Sequence, residues 1–261
     1  MALSGSPTSR RLDMGRVIQR TFAVLGRQLA AFAILGGLLI ALPQGVMAWL
    51  IQGWSADPES VVPATFLAVG LTWIVTVVGT YLLQASVVHA SVVDLSGRQV
   101  EIAASLRVGL RVILPLFGLA IFMSLAVALG LILLIVPGVI MMLAWIVAVP
   151  AVVVEQKAVE ASLGRSAYLT RNNRWAILAL CVAYLVLYLI VTLLVGGIAA
   201  AVIGGTDLSQ SPVAYAIEAV IEPLITATGT VVGAVGVATL YFELRSIKEG
   251  VGHEELAAVF D

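Results

Sequence analysis

Charge is what this sequence has least of. Only 11% of its 261 residues are Asp, Glu, Lys or Arg, and 61% are hydrophobic. Soluble domains average about 25% charged and about 45–50% apolar residues. So much apolar surface cannot be hidden in one soluble core of this size, whereas a bilayer lets apolar side chains face outward. The single cysteine, Cys181, lies in an apolar run, which excludes an internal disulfide and reads as a small buried hydrophobe. Two histidines, His89 and His253, without a cysteine partner do not make a zinc site. The net charge of −1 gives no footprint for nucleic acid. No Walker loop, HExxH, GxSxG or paired catalytic carboxylates occur in a suitable setting, so no enzymatic activity and no cofactor are expected.

What the chain has in quantity is long apolar runs. A span needs about 20 apolar residues. The first run is Leu29 to Ile51, and the second lies within Val62 to Val93. From Val112 to Val154 there is no charged residue, a stretch suited to two helices. Pro137 and Gly138 supply the expected break, giving spans Val112 to Val136 and Pro137 to Val154. The fifth span is Trp175 to about Ile203. The sixth is about Leu224 to Phe242, approached through Ser211 to Pro223. The prediction is an all-α, polytopic membrane protein with six transmembrane helices arranged as three hairpins. No cleavable leader is expected, because the first apolar run is itself long enough to span.

Every Lys and Arg falls on the N-terminal side of this six-span arrangement, from Arg10 and Arg11 through Arg107 and Arg111 to Arg245 and Lys248. The opposite loops carry only acids: Asp57, Glu59, Asp207, Glu218 and Glu222. The positive-inside rule then puts both termini in the cytoplasm. Glu222 stands 23 residues before Arg245, roughly 34 Å along a helix, which sets it at the outer edge.

Each cytoplasmic stretch reads as a short amphipathic helix leading into a hairpin. Arg16, Arg20 and Arg27 share one face of the first, and Arg107 and Arg111 mark the second. The third, Val159 to Thr170, is less amphipathic. One membrane domain results. Residues 1–28 form its N-terminal segment, 29–93 the first hairpin, 94–154 the second with its interfacial helix, 155–243 the third, and 244–261 a cytoplasmic tail. Even spans end at Asp94, Glu155 and Glu243, and odd spans begin after Arg27, Arg111 and Arg174. Boundary ion pairs among these six are one expectation, and arginines snorkelling to headgroups are the other.

Two polar stripes run along spans. Thr72, Thr76, Thr80 and Gln84 recur every fourth residue in span two, and Tyr184, Tyr188, Thr192 and Gly196 in span five. Such stripes line a polar cleft or bond neighbouring helices. The residues singled out for a cleft are Thr76, Thr80, Gln84, His89, Tyr184 and Tyr188. Gly229 and Gly233 form a GxxxG spacing, read as packing within the bundle.

Ile135 to Gly138, Pro150, Val154-Glu155, Ala161 to Ser166, Leu169-Thr170, Arg174-Trp175 and the ending from Leu240 through Gly250 to Asp261 form a recognisable series. In these motifs the chain resembles bacterial membrane proteins grouped with the membrane domain of glycerophosphoryl diester phosphodiesterases and with YciC-like proteins. It departs from that pattern at Ala167, where a bulky residue is expected, and at Asn172, near which a glycine is expected. The resemblance implies a bacterial integral membrane protein. It does not imply catalysis, because in fused relatives the chemistry belongs to a separate soluble domain, and none is expected after the last span here. Two functions stay open. One is a non-enzymatic inner-membrane protein that organises lipid, anionic headgroups included, or a membrane partner. The other is a transporter or permease subunit for a small or lipid-like solute.

Overall fold

The computed structural model describes residues 12–54, 61–203 and 212–250. Those residues form helices joined by short turns, with no strand among them. In order they are α1 (Met14–Arg27), α2 (Leu29–Gly36), α3 (Leu42–Trp54), α4 (Val61–Leu95), α5 (Ile102–Leu133), α6 (Ile135–Trp145), α7 (Ala148–Glu155), α8 (Val159–Thr170), α9 (Arg174–Ile203) and α10 (Pro212–Glu249). A π-helical turn, Gly37–Ala41, joins α2 to α3. Among the described residues six stretches are long and apolar enough to cross a membrane: Leu29–Ala48, Phe66–Leu95, Ile102–Leu133, Ile135–Glu155, Arg174–Ile198 and Ala219–Glu249.

Proline explains several local features. Pro43 has no N–H to offer the carbonyl of Leu39, four residues back, and the π-helical turn lies at that point. A Cβ on Gly79 of α4 would overlap that same Leu39 carbonyl oxygen, so glycine lets the two backbones meet. Pro223 frees the carbonyl of Ala219 in the same way, and this oxygen would lie 3.4 Å from a Cβ on Gly45 of α3. Both proline-freed carbonyls therefore face a glycine of a neighbouring helix. Cα–H···O contacts of that kind partly satisfy them where water is excluded.

Three expected boundaries are corrected. The interfacial helix bearing Arg107 and Arg111 is not separate from the third span: α5 runs unbroken through both, with Pro115 inside it. Its buried stripe of Ser105, Gly109, Val112, Leu116 and Leu119 continues across the expected junction, and this packing holds the helix together. Approach and span six are likewise one 38-residue helix, α10. The break between spans three and four falls at Leu134, which is extended, rather than at Pro137. Pro137 sits in the first turn of α6, where a missing N–H needs no intrahelical partner. Gly138 permits the tight reversal, since a Cβ there would meet Leu131 at 2.6 Å.

Span four is itself interrupted between Trp145 and Ala148, which separates α6 from α7. The interruption exposes backbone groups that a bilayer cannot hydrate. Ser166 of α8 supplies them: its Oγ donates to the Ala144 carbonyl (2.8 Å) and accepts from the Val147 N–H (3.2 Å). The Thr170 hydroxyl also faces Ala144 O, at 3.2 Å. Asn172, just beyond α8, has φ 76°, a left-handed conformation that glycine favours and asparagine tolerates. The expected glycine is thus replaced by the residue best able to adopt its backbone.

The core lies at the end of the molecule carrying Asp94, Glu155 and Glu243. There the second half of α4, the last turns of α10, and α7 bury Leu83, Val88, Val153, Tyr241 and Leu244. α1 adds Val17 and Val24 to it. α9 is nearly uncovered: 6% of its span window is buried, against 44% for span four.

Candidate functional site

Because α9 stands away from the bundle, a cavity of about 510 Å³ opens between it and α1, α4 and α10. Thr80 and Gln84 reach it from α4, Cys181 and Tyr184 from α9, Thr230 and Gly233 from α10, and Val17 and Thr21 from α1. No charged residue lines it among the described residues. Ile18, Phe22 and Leu187, all exposed, are among the residues that line it. A second cavity of about 320 Å³ continues along α9 and α10 and shares Tyr184, Leu187, Gly229 and Val232 with the first.

The two polar stripes converge here, but not completely. Thr80, Gln84 and Tyr184 face the first cleft, and Tyr188 lines the second. The Tyr184 hydroxyl donates to the Gly229 carbonyl at 3.0 Å, and the two tyrosine rings stack with centroids 6.2 Å apart. A Cβ on Gly229 would lie 2.5 Å from the Tyr188 ring, and one on Gly233 would lie 3.2 Å from the Tyr184 hydroxyl. The GxxxG spacing therefore receives two tyrosines of the neighbouring helix. Thr76 is elsewhere, its hydroxyl accepting from the Gln44 amide at 3.2 Å. His89 is also outside the cleft: it is buried between α4 and α5, with Nδ1 3.1 Å from Ser105 Oγ. The amide of Gln84 has no hydrogen-bond partner among the described residues.

Next to the cleft lies the charged boundary. Arg27 and Asp94 pair with each other at 2.5 Å, and the Gln28 amide adds a hydrogen bond to Asp94 at 2.9 Å. The hydrogen bond to Asp94, and its charge, raise the Arg27 pKa despite some desolvation. Glu243 pairs with Arg20 (2.6 Å), whose guanidinium also lies 5.5 Å from the centre of the Phe242 ring. Glu155 accepts from Arg165 (2.8 Å) and the Tyr241 hydroxyl (2.6 Å), and pairs with Lys157 (2.5 Å). Arg165 pairs in addition with Glu249, which Arg245 holds at 2.9 Å. Burial works to lower the Arg165 pKa, but its hydrogen bonds to Glu249 and Glu155 and their charges raise it well above the ordinary value.

Of the six boundary residues, Arg27 and Asp94 are thus joined, and Glu155 and Glu243 are paired with other arginines. Arg111 and Arg174 make no ion pair with any described residue, and the Arg174 Nε is buried without a hydrogen-bond partner among them. Sequence reasoning missed Arg165 and Tyr241 as partners of Glu155, since they lie 10 and 86 residues away. The only signal was that both sit inside the motifs carrying the family resemblance. Asp57, Glu59, Asp207 and His253 lie outside the described residues, as does the side chain of Glu218; Glu222 is exposed. Among the described residues no group of three His, Cys, Asp or Glu could hold a metal ion.

No family model, curated protein or solved structure matches the chain.

Proposed function

We propose that this chain is a non-enzymatic, multi-pass protein of the bacterial inner membrane that organises lipid by holding it in the cleft between α1, α4, α9 and α10. The observation that carries this reading is the cleft itself. At about 510 Å³ it falls within the ~300–1,000 Å³ of ordinary ligand sites. It is mainly apolar, has no charged residue among its described lining, and is lined in part by the exposed apolar side chains of Ile18, Phe22 and Leu187. In a bilayer, the molecules that reach such side chains are lipids.

The same proposal includes three hairpins, each led by a cytoplasmic amphipathic segment, with both termini cytoplasmic. α1 supports it best. It buries Val17, Thr21 and Val24, leaves Met14, Ile18 and Phe22 exposed, and carries Arg16, Arg20 and Arg27. A helix of that pattern lies in the interface and favours anionic headgroups. Membership in the YciC-like group is likewise our proposal, resting on the motif from Ala161 to Thr170 that bonds the interruption in span four.

The adjoining cavity favours a second reading, a permease subunit for a lipid-like solute. Together the two cavities extend along α10 from Ile221 to Leu240, about 28 Å, close to the ~30 Å of a hydrocarbon core. Native mass spectrometry of gently extracted protein separates the readings. A retained lipid without a protein partner supports lipid organisation, and a stoichiometric partner supports a subunit role. Protein bare of both refutes the lipid reading.

A further inference from the structure

The cleft contains one group that apolar packing does not explain. Gln84 lies 10 residues from Asp94 along α4, about 15 Å from the charged boundary and near mid-membrane. Its amide has no hydrogen-bond partner among the described residues, and Thr80, one turn away, has none either. Both line the cleft. In hydrocarbon an amide without a partner is costly, so a glutamine at this depth is better accounted for by a polar group that meets it. The Tyr184 hydroxyl is already committed to Gly229.

Charge narrows the choice. None of the described lining residues is charged, and the boundary arginines Arg20 and Arg27 are neutralised by Glu243 and Asp94. Arg174, which has no ion-pair partner among the described residues, lies at the start of α9, 10 residues and about 15 Å from Tyr184, at the boundary rather than at the depth of Gln84. An ionised headgroup drawn down to Gln84 would meet no counter-charge in a low-dielectric site. A hydroxyl meets an amide well, because each donates and accepts. We infer that the cleft selects an uncharged glycerolipid with a free hydroxyl, of the diacylglycerol class, and that Gln84 and Thr80 hydrogen-bond that hydroxyl near mid-membrane. This deepens the lipid-organising reading and rests on it.

The test is native mass spectrometry of the purified, delipidated full chain given dioleoylglycerol and dioleoylphosphatidylglycerol in equal amounts. The wild type is expected to keep one dioleoylglycerol in preference to the charged lipid. Q84L is expected to lower dioleoylglycerol occupancy about fivefold, the factor for one lost hydrogen bond, while phosphatidylglycerol adducts and thermal melting stay unchanged. G236L provides a second variant. A Cβ on Gly236 meets no atom within 4 Å, so a leucine there extends into the cleft and should exclude the neutral lipid, with thermal melting as the check that the fold is kept. If the wild type prefers phosphatidylglycerol, or Q84L keeps the neutral lipid as well as the wild type, the inference is overturned and the lipid-organising reading survives. If the wild type keeps neither lipid, both are overturned.

Discussion

The Leu39 carbonyl oxygen and Gly79 are in direct backbone contact, and any side chain at position 79 would overlap that oxygen. The contact ties the π-helical turn before α3 to the middle of α4. It follows from Pro43, which leaves that carbonyl without its usual donor. Gly79→Ala should therefore destabilise the protein by about 1–3 kcal/mol, the range for overpacking. Gly70→Ala, on the same helix with open space around it, should cost nothing measurable. Thermal unfolding in one detergent compares the two, and equal melting temperatures would refute the contact.

Ser166→Ala removes the acceptor for the Val147 N–H and one donor to the Ala144 carbonyl. A buried N–H left alone costs about 1–3 kcal/mol. Thr170→Val should cost less, because Ser166 still serves the same carbonyl. Denaturant unfolding of the two single variants and the double gives the coupling, which should be clearly non-zero for side chains sharing one acceptor.

The ion pairs should differ in weight. The Arg27 side chain is 54% exposed and Asp94, 7% exposed, keeps the Gln28 amide when Arg27 is removed, so Arg27→Ala should cost about 1–3 kcal/mol, less at high salt. Glu155 is 9% exposed and serves Arg165, Lys157 and Tyr241 together. Glu155→Ala should cost about 3–5 kcal/mol, as for a buried pair broken on one side. Melting at two salt concentrations tests both statements. A salt-sensitive Glu155→Ala deficit would place that cluster in solvent instead.

Tyr184→Phe keeps the ring and loses only the bond to Gly229. Hydrogen bonds between membrane helices average about 0.6 kcal/mol, so the change in melting should be small. Gly229→Leu must instead displace the Tyr188 ring, and should widen the α9–α10 separation. Cross-linking between cysteines placed on those two helices reads the difference.

Much of this arrangement is legible in the sequence, because a bilayer writes a simple rule: apolar runs cross, charges stay at the edges. All six apolar runs recur as helices fit to span. Boundaries were less legible. Pro223 marks the expected start of span six and Pro115 falls inside span three, yet the chain stays helical through both, because packing along the Ser105 to Leu119 stripe and against Gly45 outweighs one missing bond. The polar stripes were visible as spacing, but spacing alone does not tell a committed hydroxyl from an available one. Thr76 bonds Gln44 and Tyr184 bonds Gly229, while Gln84 makes no side-chain hydrogen bond with a described residue. Glu155 could not be matched to Arg165 and Tyr241 from sequence, since no helical periodicity links positions on three different helices.

The sparse covering of α9 has a mechanical consequence. Its apolar stretch from Arg174 to Ile198 is about 37 Å long, more than the ~30 Å of a hydrocarbon core, a mismatch that leaning relieves. Few contacts within the protein fix how far it leans. The thickness of the surrounding membrane then sets the angle. One wall of the cleft is in effect held by the bilayer, and a thinner membrane tilts that wall further from α10.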